Sequence, residues 1–356
     1  MTNPATTLRA SIDVALEPAP AFDVLAEELT AGLLRLGIRL ETDPRGHITE
    51  GPVAVGRVVA WEPGARVALE WHPADWQPGE VTRVELRFEP VDGGTRVTLE
   101  HHGWGRLIGD AAELVSWFAE EAVGPLLRAT APARFGDWLT DRGARRPSGA
   151  QARAIYRDPL YHYPNFRVIL AELGLTAEDY LLEVGCGGGA LLNEALRSGC
   201  RAAAVDHSPA MVHLAREVNR DAVAEGRLEV FEANAERLPF PGATFTCAAM
   251  TGVLGFLPDP VAALAEIHRV LGAGGRLVVL GSDPEMRGTP AAPEPFASRL
   301  RFYDDDELEQ LGRAAGFMAV AAVRRDLEPF AREVGVPEEH VPLFAGASRF
   351  LLARKR

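Results

Sequence analysis

The sequence predicts a two-part chain, an α+β half of antiparallel strands followed by an α/β half with a parallel sheet. Three observations predict it. Beyond about residue 180, short apolar runs alternate with stretches of helical spacing, the order of a parallel sheet with crossover helices. Before about residue 140, runs of period two are joined by tight turns, the pattern of antiparallel strands. Between them, Thr140 to Ala150 is polar and carries Gly143, Pro147, Ser148 and Gly149, which reads as a joint.

In the second half the apolar run Tyr180 to Val184 predicts a buried strand that empties into Gly185-Cys186-Gly187-Gly188-Gly189. Helical spacing follows from Leu191 to Leu196, and a second apolar strand, Ala202 to Val205, ends in Asp206. Such a βαβ unit suits an adenosine, because glycines let the backbone approach the ligand and the acid accepts from a ribose diol. Gly185, Gly187 and Ala190 satisfy the glycine pattern of a dinucleotide site, with Asp206 about twenty residues on. Glu183 argues for another ligand. An acid two residues before the turn would repel a pyrophosphate but would meet the cationic amino acid end of S-adenosylmethionine. A third strand near Glu229 to Glu232 leads into a polar turn. A fourth, Phe245 to Met250, is followed by Thr251 and Gly252.

Residues from about 155 to 356 resemble a class I S-adenosylmethionine-dependent methyltransferase, a Rossmann-like fold. E-V-G-C-G-G-G (183–189) resembles the first motif of that family and V-D-H-S-P-A-M-V (205–212) the second. A-N-A-E-R-L-P-F-P (233–241) resembles the adenine-edge motif, and residues 266–280 resemble the helix and fifth strand that follow. The resemblance implies S-adenosyl-L-methionine as cofactor, with Glu183, Gly185 and Gly187 at its amino acid moiety. It places Asp206 on the ribose, His207 and Met211 near the adenine face, Asn234 and Ala235 at the adenine edge, and Thr251 near the methyl group. The family usually carries Asp at the position of Asn234 and often Asp at that of Thr246, so the contact from Asn234 would lack charge. Ser208 is the better helix cap, which frees Asp206 for the ribose.

Methyl transfer from a sulfonium is an in-line displacement that asks the protein for alignment and exclusion of water. A general base is needed only for a protonated acceptor, so no strong catalytic signature is expected. Tyr156, Tyr161, His162 and Tyr163 lie in a segment that the resemblance folds over the cofactor. Tyr161, His162 and Tyr303 are the acceptor-side candidates, with Arg301 and Phe302 nearby and the insertion from Leu327 to Phe344 as a pocket wall.

In the first half, Thr7 to Leu16, Val53 to Trp61, Val67 to Trp71, Val81 to Phe88 and Thr95 to His101 alternate as strands. Phe22, Leu25, Leu29, Leu33 and Leu36 recur at helical spacing. A long amphipathic segment after Gly109 runs to Leu139, so the strands would grip a C-terminal helix. Residues 56–71 and 82–104 resemble the START-like (SRPBCC) superfamily, especially its heat-shock ATPase-activator-like branch, over residues 8–142. That implies a helix-grip fold with a cavity for an apolar ligand, or a partner-binding module. Trp61, Trp71, Trp76, Trp104 and Trp117 are candidates to line it, and His101 and His102 to touch the ligand. The expected organisation is a START-like domain over 1–142, a linker over 143–154 and a methyltransferase domain over 155–356.

The 356 residues carry a net charge of −13, which argues against a nucleic-acid partner. The three cysteines, Cys186, Cys200 and Cys247, are widely spaced in apolar settings and fit a reduced, cytoplasmic protein without a disulfide framework or metal site. No apolar run approaches the roughly 18–20 residues of a membrane span, and no signal-peptide pattern opens the chain. The expected activity is methyl transfer to a small apolar or aromatic organic acceptor. A non-catalytic, cofactor-sensing regulator and a nicotinamide-dependent oxidoreductase are the alternatives.

Overall fold

The computed structural model describes residues 8–35, 38–72, 81–102, 137, 139–147, 149–289 and 291–356. The chain divides into two compact units, Met1–Leu139 and Thr140–Arg356.

In the first unit, β1 (Leu8–Val14), α1 (Pro18–Arg35), β2 (Ile38–Leu40), β3 (His47–Glu50), β4 (Val53–Glu62), β5 (Arg66–Trp71), β6 (Thr82–Val91) and β7 (Gly94–His102) follow in chain order. The strands form one antiparallel sheet in the order β1-β7-β6-β5-β4-β3-β2. Pro18 and Pro20 follow the end of β1 and open α1, where a missing N–H costs nothing. From α1, Phe22, Leu25 and Leu29 bury against Val58, Val67, Leu86, Phe88 and Leu99 of the sheet. Phe22 also meets Trp61 edge-on, with ring centroids 5.5 Å apart. The β6–β7 hairpin turns tightly at Asp92-Gly93, and Gly93 has a φ of 81°. The amphipathic segment expected as the gripped helix lies largely outside the described residues, as do Trp76, Trp104 and Trp117.

In the second unit, α2 (Gly149–Arg157) and α3 (Tyr163–Leu173) precede β8 (Tyr180–Val184). Then come α4 (Ala190–Ala195), β9 (Arg201–Asp206), α5 (Pro209–Val218), α6 (Arg220–Ala224), β10 (Leu228–Glu232) and β11 (Phe245–Met250). The unit closes with α7 (Pro260–Val270), β12 (Leu271–Leu280), α8 (Asp305–Ala314), β13 (Ala319–Asp326), α9 (Glu328–Glu333) and β14 (Ala347–Arg354). The sheet order is β10-β9-β8-β11-β12-β14-β13, parallel except that β14 runs against both neighbours. Both faces are covered, so the central strands are largely apolar, with Glu183 of β8 a buried exception. Leu182 and Val184 join the α7 and α8 side, whereas Leu181 joins the α3 and α4 side. Strand order reverses between β8 and β11, which opens a crevice at their carboxyl ends.

A π-helical turn at Asp141–Arg145 and α2 belong to the second unit, and α2 packs on α5.

At the opposite, amino end of the strands, Asp179 ties three elements together. Its carboxylate accepts from Thr176 N (2.9 Å), Thr246 Oγ1 (2.7 Å) and Arg276 Nη2 (2.7 Å). Burial alone would raise this carboxyl, but these donors outweigh it and hold Asp179 below the usual range. The resulting stabilisation is present above the unfolded-state pKa of about 4 and is lost as pH falls through the acid range. Asp179→Ala is expected to cost about 2 kcal/mol at neutral pH and less in acid, as read by urea unfolding.

Candidate functional site

The glycine turn occupies the carboxyl end of β8 at the strand-order switch. Its first residues are held by β9, since Gly185 N (2.8 Å) and Cys186 N (3.1 Å) both donate to Val205 O. Gly185 has a φ of 77°, and a Cβ there would stand 2.1 Å from Val253 Cγ2. A side chain at Gly188 would meet the Tyr156 carbonyl oxygen at 2.1 Å. The residue type at both positions is therefore set by close approach, and at Gly185 by backbone conformation as well.

Asp206 ends β9 and is only 8% exposed. Its Oδ2 accepts from Gly187 N (2.9 Å) and its Oδ1 from Ser208 N (2.8 Å). Burial raises this carboxyl above the ordinary range, against the pull of the two N–H donors. Asp206 O also accepts from Ala233 N (3.0 Å), which brings the turn after β10 to the same edge. There Asn234 is exposed, with its Oδ1 taken by Glu236 N (3.0 Å), and Ala235 is buried in the core.

Glu183 lies one residue before the end of β8 and is 2% exposed. Its Oε2 is buried without a hydrogen-bond partner, and so is Thr251 Oγ1 just beyond β11. Burial first, and then the neighbouring Asp206, push the Glu183 carboxyl well above its ordinary range.

A strap from Asp141 to Arg157 covers this edge. Ser208 Oγ donates to Pro147 O (2.6 Å), and the His207 ring nitrogen Nε2 donates to Arg145 O. The Tyr156 ring lies against Gly187, while its hydroxyl donates to Gly143 O (3.2 Å). Burial and Asp206 push the Tyr156 phenol up to about 12.

The remaining candidates are dispersed. Met211 is fully buried on the inner face of α5, and His207 is exposed. Tyr161 Oη bonds His340 Nδ1 at 2.6 Å, and its ring stacks on Phe344 in the insertion. His162 is exposed and stacks on Phe166. Tyr303 is buried, follows the loop beyond β12 through Tyr303 N to Ser282 O (2.9 Å), and has a buried Oη that makes no hydrogen bond. Burial pushes its phenol up, opposed by Arg301, whose guanidinium is committed to Pro258 O (3.0 Å). In the first unit, His101 points to the core face of β7 at 2% exposure with Nε2 unpartnered, and burial followed by His102 lowers it to about 4.

The sequence singles out Tyr156 over the glycine turn but not the strap contacts of Gly143, Arg145 and Pro147, nor Asn219. Asn219 is 4% exposed and donates through Nδ2 to Gly189 O and Ala215 O, both at 3.0 Å, bracing the turn from behind. Its signal, a polar residue at the end of an apolar helical stripe, does not differ from an ordinary helix terminus. Among the described residues no cluster of His, Cys, Asp or Glu suits a metal ion, and no helix is long and apolar enough to cross a membrane.

Residues 182–279 match the family model of a methyltransferase domain, and residues 34–118 that of an activator of Hsp90 ATPase homolog 1-like protein. A ubiquinone/menaquinone biosynthesis C-methyltransferase of Geobacter sp. (strain M21) is 28% identical over 151 residues, covering 42% of this chain and 62% of that protein. Its counterpart in Marinomonas sp. (strain MWYL1) is 30% identical over 138 residues, covering 38% of this chain and 55% of that one. The chain thus spans less than two thirds of these relatives. Among solved structures, geranyl diphosphate C-methyltransferase from Streptomyces coelicolor A3(2) is similar at 17% identity and a TM-score of 0.43, over 54% of this chain and 78% of that one.

Ser208→Ala removes the oxygen that caps α5 at Met211 N together with the donor to Pro147 O. The expected loss is about 1 kcal/mol in urea unfolding, with faster tryptic cleavage after Arg145 as the strap loosens. An unchanged cleavage rate would separate the strap from this serine.

Proposed function

We propose that this chain, which joins a class I methyltransferase domain to a START-like domain, transfers a methyl group from S-adenosyl-L-methionine to a small apolar or aromatic organic acceptor. One constellation carries the reading: Glu183, the glycine turn and Asp206 converge on the crevice at the strand-order switch, where α/β sheets bind ligands. The fit to the cofactor rests on two structural features. Glu183 Oε2 and Thr251 Oγ1 are buried polar atoms that still need partners. The turn also lacks side chains where its backbone must be approached.

When bound, S-adenosylmethionine supplies a methyl carbon on a positively charged sulfur, already activated towards displacement. Asp206 accepts from the ribose hydroxyls, since each of its oxygens keeps a second lone pair beside its backbone donor. Glu183 faces the amino acid end, Asn234 and Ala235 edge the adenine, and Thr251 stands near the reacting centre. His207 and Met211 act indirectly, by anchoring the strap and seating α5. Tyr156 and the strap exclude water, which strengthens every electrostatic contact inside. Of the acceptor-side candidates, Tyr303 keeps a buried hydroxyl ready for a partner, while Tyr161 is committed to His340. An apolar or aromatic acceptor is supported by the largely hydrophobic surroundings of Tyr303 and by the quinone-pathway relatives, which are C-methyltransferases. The first unit serves as the ligand- or partner-binding module. His101, neutral and unpartnered, is its polar contact for a largely apolar ligand.

Calorimetric titration with S-adenosylmethionine tests the reading. The native protein should bind saturably, and Asp206→Ala should lose about 10- to 100-fold in affinity, the worth of charge-assisted hydrogen bonds. Absence of binding by the native protein would remove the assignment. Tyr303→Phe should lower turnover on a methylated acceptor and leave cofactor affinity unchanged, as read by steady-state kinetics beside the titration.

A further inference from the structure

Among the described residues, Glu183 has no counter-charge in its own neighbourhood. The register sets Ala204 and Ala249 opposite it on β9 and β11, and neither side chain offers a donor. Cys186 in the turn and Tyr156 on the strap are neutral, the thiol pushed up by burial, Asp206 and Glu183, and the phenol to about 12. On the face that Glu183 shares with Leu181, α3 and α4 carry Tyr163, Arg167 and Glu194, with His162 just ahead of α3. Arg167 is already committed to Glu194 (2.6 Å) and Glu333 (3.2 Å). His207 acts on Asp206 and donates to the strap. The charge that does reach Glu183 is the like charge of Asp206, whose two backbone donors favour its ionised form.

A buried carboxylate with an orphaned oxygen and a like-charged neighbour is costly, and the group escapes the cost by holding its proton. A carboxyl that must later face a cation is in the opposite position. We propose that Glu183 is a proton-coupled reader of the cofactor's amino acid end, neutral in the free protein and ionised against the arriving α-ammonium, so that binding expels a proton. The inference rests on the methyltransferase reading and adds to it a mechanism of ligand selection. The O–H bond of Glu183 breaks, its proton leaves to buffer, and the carboxylate that remains pairs with the ammonium. An adenosyl ligand without that ammonium offers no compensation and leaves Glu183 protonated.

The sign follows from linkage. Binding that releases a proton strengthens as pH rises, by up to about tenfold per pH unit for one full proton, and levels off once the free carboxyl is itself ionised. Titration calorimetry of the full chain with S-adenosylhomocysteine, in two buffers of unlike ionisation enthalpy near neutral pH, counts the protons directly. The native protein should release a substantial fraction of a proton to S-adenosylhomocysteine and none to 5′-methylthioadenosine. Glu183→Gln should release less, since it keeps the titration of the ligand but loses that of the acid. Equal release by the native protein and the variant, or no buffer dependence in the native protein, would overturn the proposal. Failure of the native protein to bind S-adenosylhomocysteine at all would instead bring down the methyltransferase reading, and this inference with it. Infrared difference spectroscopy of the native protein needs no variant. The C=O stretch of a protonated carboxyl should vanish on binding, and its absence from the free protein would refute the idea.

Discussion

Two backbone N–H groups, from Gly187 and Ser208, meet on the carboxylate of Asp206, and the geometry of the whole ligand edge depends on that meeting. The first donor comes from the turn after β8, the second from the start of α5, and the acid itself ends β9. One buried charge thus fixes the relative placement of three elements that a ligand must touch at once. Its location follows from topology, because adjacent parallel strands end at the same level and their following loops converge there. Burial works against the ionised form, and the two donors offset part of that cost without consuming all four lone pairs. The acid can therefore order the site and still accept from a ligand.

The strap extends the same logic outward. Ser208 and His207, the two residues after the acid, reach the carbonyls of Pro147 and Arg145, and Tyr156 closes over Gly187. The first two contacts each use a donor from the residues after Asp206 and a backbone acceptor from the strap, so the cover and the site share one hydrogen-bond network. The glycines serve it too, since a side chain at Gly188 would strike the strap and one at Gly185 would strike Val253. Asn219 completes the arrangement from behind, through the Gly189 carbonyl.

Much of this was legible in the sequence, and the exceptions have physical reasons. Strands buried on both faces and ended by glycine or acid announce themselves, which is why β8, β9 and β11 agree with the pattern almost residue for residue. The strands β2 and β3 are three and four residues long and bury little beyond Leu40 and Ile48, too short for a period to emerge. The helix α2 packs on α5, a tertiary contact that local spacing cannot carry. Side-chain direction was equally hidden. Nothing in the order of Tyr161 and His162 indicates that one turns to His340 and the other stacks on Phe166. Met211, expected near the adenine face, is instead fully buried with Leu214 and Ala215 on the inner stripe of α5.

The central claim, that one crevice at the strand-order switch holds an adenosyl ligand through Asp206 and the glycine turn, is tested most directly by a crystal structure of the full chain with S-adenosylhomocysteine. The account predicts density for the ribose within hydrogen-bond distance of Asp206, the amino acid end beside Glu183 and the adenine along Asn234 and Ala235. An ordered ligand bound away from Asp206, or an empty crevice at saturating ligand, would contradict it.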